Sequence, residues 1–287
     1  MPCVALLSTD NLEDFFVYDD MLAEPLAEHG WQTQTISWQA DNVNWADYAL
    51  VIVRSTWDYQ QQPERFMQKL EEINQQTRLE NPLALMQWNL DKRYLQTLQA
   101  DGVPVIPTLW MEQFQPRTLL QAFDEFAVDT LIIKPTVSAN ADDTYRLTKE
   151  SLSAYESRLQ NTFSQRPHMI QPFVNAIVEE GEYSLFYFAD QLSHSILKTP
   201  AKDDFRVQEE HGGQLQSMKA DERMQYIAQQ ALAALPEPAL YARIDMVRHA
   251  GDWAIMEVEL IEPSLYFNLD SKAPRRFVEA MLGYLER

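Results

Sequence analysis

The sequence predicts an α+β protein: an N-terminal α/β unit on a parallel sheet, then a longer unit on a mainly antiparallel sheet. Three observations carry this. Apolar runs alternate with helical spacings over the first eighty residues, and beyond His168 the apolar runs come in adjacent pairs joined by short turns. Only 7 glycines occur in 287 residues, where about 20 would be usual. That scarcity removes the phosphate cradles G-x-G-x-x-G and G-x-x-x-x-G-K-[ST], neither of which is present.

Residues 4–7 are a short apolar strand, 20–29 have helical spacing stopped by Gly30, 33–38 alternate, and 48–53 read as a buried strand. A helix over 64–73 follows Pro63 at a first-turn position, and Asn81-Pro82 punctuates the chain. A helix from Asn89 to about Ala100 closes on Gly102, and the two prolines of 103–107 suit an edge or a linker. Residues 131–135 form a strand ending at a proline, followed by the small polar run 138–143. Residues 182–188 and 191–197 pair around Ala189-Asp190, 240–247 pair with 253–260, and helices near 221–235 and 273–285 flank them.

The charge balance, 23 basic against 43 acidic residues for a net −20, excludes a nucleic-acid groove and an acidic membrane surface as partners. Cys3 is the single cysteine, so no internal disulfide forms, and its place at the start of a strand makes it a core residue. The first ten residues lack a basic n-region, and no apolar stretch reaches the ~18 residues that span a bilayer, so a cytoplasmic protein is expected.

Acids concentrate in the last strand pair. Side chains alternate along a strand, so Glu257 and Glu259 share one face and Met256, Val258 and Leu260 the other. A three-residue turn at Ala250-Gly251-Asp252 sets Asp245 opposite Glu257 and Arg243 opposite Glu259, with Val247 and Ile255 on the acidic face. Three carboxylates on one face repel each other unless a cation joins them, and an all-oxygen set suits Mg²⁺ or Mn²⁺ over zinc. Cations are few: Lys134 closes an apolar strand, Lys92 follows Asp91, Lys198 ends a hairpin strand and Arg206 precedes a loop. Each alone reads as an ordinary surface or strand-end residue. Together with the carboxylates they form a phosphoryl-transfer set.

These ordered segments, from Asn81 to the C-terminus, resemble the ATP-grasp superfamily in its glutathione synthetase-like branch. Val53-Arg54-Ser55-Thr56-Trp57-Asp58-Tyr59 and Trp88-Asn89-Leu90-Asp91-Lys92-Arg93-Tyr94-Leu95 narrow the resemblance to the ligases that close the ring of O-ureidoserine in cycloserine biosynthesis. The resemblance implies an ATP-grasp fold divided into an N-terminal substrate-side domain (1–85), a central lid subdomain (86–165) and a C-terminal subdomain with the metal site (166–287). It implies that Lys92 and Lys134 reach ATP phosphates, that Gln171, Phe173 and Val174 lie along the adenine strand and hinge, and that Glu182 meets ribose hydroxyls. Arg206 and Arg243 take the phosphate and oxyanion positions, and Asp245, Glu257 and Glu259 the metal positions. Many relatives have Asn where Glu259 stands, and the lid loop at 136–144 lacks the family's usual glycines. Homodimerisation is a family-level expectation.

At the substrate end, Arg54, Ser55 and Asp58 follow an apolar strand of the α/β unit, where such sheets bind ligands. Arg54 would clamp a carboxylate and Asp58 an ammonium, reading an amino-acid-like substrate; equally, the pair would fasten a loop. Gly212-Gly213 permits a close backbone approach beside His211, which is either a substrate contact or structural. The expectation is an ATP- and Mg²⁺-dependent carboxylate–amine ligase, with a nucleotide-binding regulatory or scaffold module without turnover as the alternative.

Overall fold

The structure, a computed structural model, describes residues 1–13 and 15–286. Among these, the strands fall into sheets in chain order. The first joins β1 (Cys3–Ser8), β2 (Gln32–Ser37), β3 (Leu50–Ser55) and β4 (Leu79–Glu80) in the order β2-β1-β3-β4, all parallel. Both faces are covered, so β3 is buried at every residue, as parallel strands usually are. Helix α1 (Ala23–Glu28) ends where Gly30 takes a left-handed φ of 76°. Helix α2 (Pro63–Gln76) starts on its proline and buries Phe66, Leu70 and Ile73, one stripe at helical spacing.

The continuous helix expected from Asn89 is two helices, α3 (Leu83–Asn89) and α4 (Tyr94–Ala100), with a break between them. Local bonds hold it open: the Lys92 N–H donates to Thr136 O at 2.8 Å, and the Arg93 N–H to Asp91 Oδ1 at 2.9 Å. Lys92 therefore sits in a loop. Leu85, Tyr94, Leu95 and Leu98 pack with residues of the C-terminal sheet.

The middle sheet has the order β5-β8-β6-β7, from β5 (Leu109–Met111), β6 (Thr130–Pro135), β7 (Tyr145–Thr148) and β8 (His168–Pro172), all antiparallel. Helices α5 (Pro116–Glu125) and α6 (Leu152–Phe163) seal it through Leu119, Phe123, Leu159 and Phe163. The short helix α7 (Ala176–Glu179) leads into the last sheet. That sheet runs β11-β10-β9-β12-β13, from β9 (Glu182–Phe188), β10 (Gln191–Thr199), β11 (Gln214–Met218), β12 (Tyr241–His249) and β13 (Asp252–Glu259). Helix α8 (Glu222–Ala233) packs on one face, and Asp221 caps it by accepting from the Met224 N–H at 2.7 Å. Helix α9 (Ala273–Leu285) buries Phe277, Val278, Met281 and Tyr284 toward the first sheet's neighbours.

The β12–β13 hairpin corrects one expectation while keeping its result. The turn is two residues, Ala250 and Gly251, since His249 opposes Asp252. A register shift at Asp245/Met246 then restores the pairing, so Asp245 opposes Glu257 and Arg243 opposes Glu259. The extra residue is Met256. It lines the acidic side, while Ile255 turns into the opposite core with Met246 and Val258.

Candidate active site

The three sheets meet around a partly open cleft. Its apolar part is made by Ile132 on β6, Phe173 and Val174 after β8, Ile177 on α7 and Met256 at the bulge. The Arg146 guanidinium lies 3.9 Å from the Phe173 ring centroid, and the Phe173 N–H is bonded to Thr130 O. Gln171 lines the same part, its side-chain amide donating to Thr108 Oγ1 at 2.9 Å.

The polar part carries Lys92, Lys134, Lys198, Arg206, Arg243, Glu182, Glu257 and Glu259. Strand alternation brings most of them to one face: Lys198 on β10 opposes Glu182 on β9, and Asp245 opposes Ser184. They form a chain of charge. Lys198 bridges Glu182 and Asp245, the latter at 3.2 Å; Arg243 binds Asp245 at 3.0 Å and also Glu259; Lys92 binds Glu257 at 2.8 Å. Burial opposes ionisation of Asp245, yet Arg243 and Lys198 hold its carboxyl down to about 2. Burial pushes Glu259 up to about 8, with Arg243 offsetting only part of it. Lys134 makes no ion pair among the described residues, and burial pushes its pKa down. Lys92 moves the other way, because Glu257 outweighs burial.

The expected three-carboxylate metal set is not assembled. Among the described residues no three acidic, histidine or cysteine side chains group closely enough to hold a metal ion. Asp245 is taken up by Ser184, Lys198 and Arg243. Glu257 and Glu259 do line the cleft, and this pair of oxygen donors fits Mg²⁺, which takes one or two carboxylates plus substrate phosphates.

The substrate-end residues lie elsewhere than a clamp requires. Arg54 is 2% exposed, ion-paired to Asp19 at 2.9 Å, and donates to Pro263 O at 3.2 Å. Ser55 Oγ donates to Ser8 Oγ. Asp58 accepts from Trp38 Nε1 and Gln39 Nε2, each at 2.7 Å. None of the three lines the cleft; their neighbours Trp57 and Tyr59 do. His211, Gly212 and Gly213 stand outside it as well, while Arg206, Val207, Gln208 and Glu210 line it. Gly213 is needed for a close approach to the chain itself, since a Cβ there would lie 2.1 Å from Val207 O. Gly212 takes φ 79°, and His211 Nε2 lies 3.5 Å from Asn140 O in the lid loop. Arg206 is held by its neighbour Asp204 at 2.8 Å.

Sequence reasoning missed Glu262, which lines the cleft beside Trp57 and Tyr59. The signal available was its spacing, three residues after Glu259 and directly before a proline. In the lid loop, Asn140, Ala141 and Asp143 adopt left-handed φ angles of 53°, 58° and 50°. Gln60 donates to Asp142 and Arg166 pairs with Asp143, so the loop is docked across the cleft toward the first sheet.

A parallel N-terminal sheet joined to two antiparallel sheets that enclose lysines and acids is the ATP-grasp arrangement, and solved structures agree. The D-alanine–D-alanine ligase of Bacillus anthracis superposes with TM-score 0.70 at 12% identity, covering 99% of this chain and 97% of that one. The ATP-grasp ligase PsnB superposes with TM-score 0.67 at 16% identity, covering 98% and 99%. Residues 4–81 match the family described as D-cycloserine synthetase DcsG, N-terminal domain. The cycloserine biosynthesis protein DcsG of Streptomyces lavendulae is 31% identical over 99% of each chain, and a crystal structure of D-cycloserine synthetase DcsG superposes with TM-score 0.86 at 30% identity over 99% of each. The chain belongs to the DcsG family of ATP-grasp ligases. It is thus an ATP-dependent ligase, of the enzyme class that forms carbon–nitrogen bonds, and the reading as a module without turnover falls away. No helix among the described residues is long and apolar enough to cross a membrane.

Proposed function

We propose that the chain is an ATP- and Mg²⁺-dependent carboxylate–amine ligase that works on an amino-acid-like substrate through an acyl phosphate. The convergence of Lys92, Lys134, Lys198 and Arg243 with Glu257 and Glu259 on one cleft is the observation that carries it. Adenine would lie in the apolar part between Met256 and the Phe173-Val174 hinge, with Gln171 at its edge and ribose hydroxyls donating to Glu182. Lys92, Lys134 and Arg206 would hold the phosphates, Lys134 being free to do so without breaking an ion pair. A divalent cation on Glu257 and Glu259 would neutralise phosphate charge.

A substrate carboxylate oxygen attacks the γ-phosphorus, and ADP leaves. An amine then attacks the acyl carbon, the tetrahedral oxyanion is stabilised by Arg243, and inorganic phosphate departs. The two partners of Arg243, Asp245 and Glu259, fix its guanidinium in place before substrate arrives. No enzyme nucleophile is required. The full-length relative is a cycloserine biosynthesis protein, which favours attack by an amine of the same molecule and ring closure over joining two molecules.

Incubation with ATP, Mg²⁺ and a panel of amino acids and ureido amino acids tests this. ADP release dependent on a carboxylate substrate is expected, with ¹⁸O passing from carboxylate to phosphate and product mass separating ring closure from ligation. Glu257→Gln is expected to lower ADP formation at least a hundredfold with an unchanged circular dichroism spectrum; full activity would remove Glu257 from the reaction.

A further inference from the structure

The segment from Arg54 to Tyr59 does not clamp a ligand, but it grips one short stretch of chain. Arg54 Nη2 donates to Pro263 O at 3.2 Å and Trp57 Nε1 donates to Glu262 O at 2.9 Å, while Tyr59 lines the cleft together with Glu262. The main chain of Glu262 and Pro263 is thereby tied to the first sheet, and the Glu262 side chain is presented to the cleft beside Trp57 and Tyr59. Glu182, Glu257 and Glu259 each have a lysine or arginine partner. Glu262 forms no ion pair among the described residues, and Glu210, the remaining cleft acid, is exposed.

We infer that Glu262 is the subsite for the substrate's ammonium group, with the rings of Trp57 and Tyr59 as its walls. An acceptor-only carboxylate without a cation partner is completed by a donor that carries positive charge. Arg54 is in this view a positioning residue that acts through the Pro263 carbonyl. The inference rests on the ligase reading and names the end of the substrate that this reading leaves open.

The test needs no turnover. D-alaninamide and D-lactamide differ by an ammonium in place of a hydroxyl, and each is titrated into the enzyme with AMPPNP and Mg²⁺, followed by calorimetry. Wild type is expected to bind D-alaninamide at least tenfold more tightly than D-lactamide, Glu262→Gln to abolish that difference, and AMPPNP affinity to stay within twofold in the variant. An equal affinity for the two amides in wild type, or a preference that survives Glu262→Gln, overturns the assignment. A variant that also loses AMPPNP affinity while keeping its thermal transition overturns it too, placing Glu262 at the nucleotide instead. ADP release by wild type is scored separately, so an enzyme that prefers the ammonium yet releases no ADP with any substrate refutes the ligase reading and leaves the subsite standing.

Discussion

Lys92 and Lys134 line one cleft in opposite electrostatic states. Lys92 is neutralised by Glu257 and also donates to Ser138 O at 2.7 Å, whereas Lys134 is enclosed with no ion-pair partner among the described residues. An enclosed cation without a partner opposes folding and suits a site that receives anionic phosphate. Lys134→Met should therefore weaken AMPPNP binding at least tenfold while leaving the melting temperature equal or higher. Lys92→Met should instead lower stability by about 2 to 4 kcal/mol in urea, because Glu257 loses its partner. His194 sets a pH limit at the same scale. It stacks on Phe186 at 4.2 Å, donates from Nε2 to Leu265 O and faces Ser193, Asp270 and Arg276; burial pushes its pKa to about 4 from 6.5. The unfolded chain binds this proton more readily, so stability is full above pH 6.5 and falls between 6.5 and 4, by about 3 kcal/mol. His194→Phe should flatten that part of a urea-stability profile.

The outer edge of β13 is finished by side chains and a neighbouring segment in place of another full strand. Ile255 exchanges backbone bonds with Pro104 and Ile106, the Val258 N–H donates to the Tyr94 hydroxyl, and Asn89 takes both Val258 O and the Leu260 N–H. The bulge at Met256 falls between these two sets of bonds, which explains why the strand shifts register there. Asn89→Leu would leave a buried carbonyl and a buried N–H unpaired, so a loss of about 2 to 4 kcal/mol is expected in denaturant titration. The shared face of Glu257 and Glu259 was legible from alternation alone. The two-residue turn and the bulge were not, because they answer to bonds from residues 94 and 104–106, far away in sequence. The break at Lys92 has the same origin, since the bond from its N–H ends on Thr136 of another sheet.

Across the whole molecule, the buried Arg54–Asp19 pair and the Arg54 bond to Pro263 couple the first sheet to the C-terminal one. Arg54→Ala would strand Asp19, and a destabilisation of about 3 to 5 kcal/mol is expected. The net charge of −20 acts over the same scale. Carboxylates repel each other across the surface, so raising sodium chloride from 10 to 200 mM should raise the melting temperature, as the Debye length shrinks from about 30 Å to below 10 Å.

By itself the sequence determined the order of parallel and antiparallel units, the shared strand face of Glu257 and Glu259, and the absence of glycine-rich phosphate cradles. Each follows from local periodicity or from what is absent in the composition. The tertiary structure decided which charges are free. It bound Asp245 into an ion-pair chain, left Lys134 and Glu262 without ion-pair partners among the described residues, and turned the Arg54 segment from a substrate clamp into a grip on the Glu262 loop. The state of a charge depends on which other charges lie within a few ångströms, and for these residues the deciding neighbours come from remote parts of the chain.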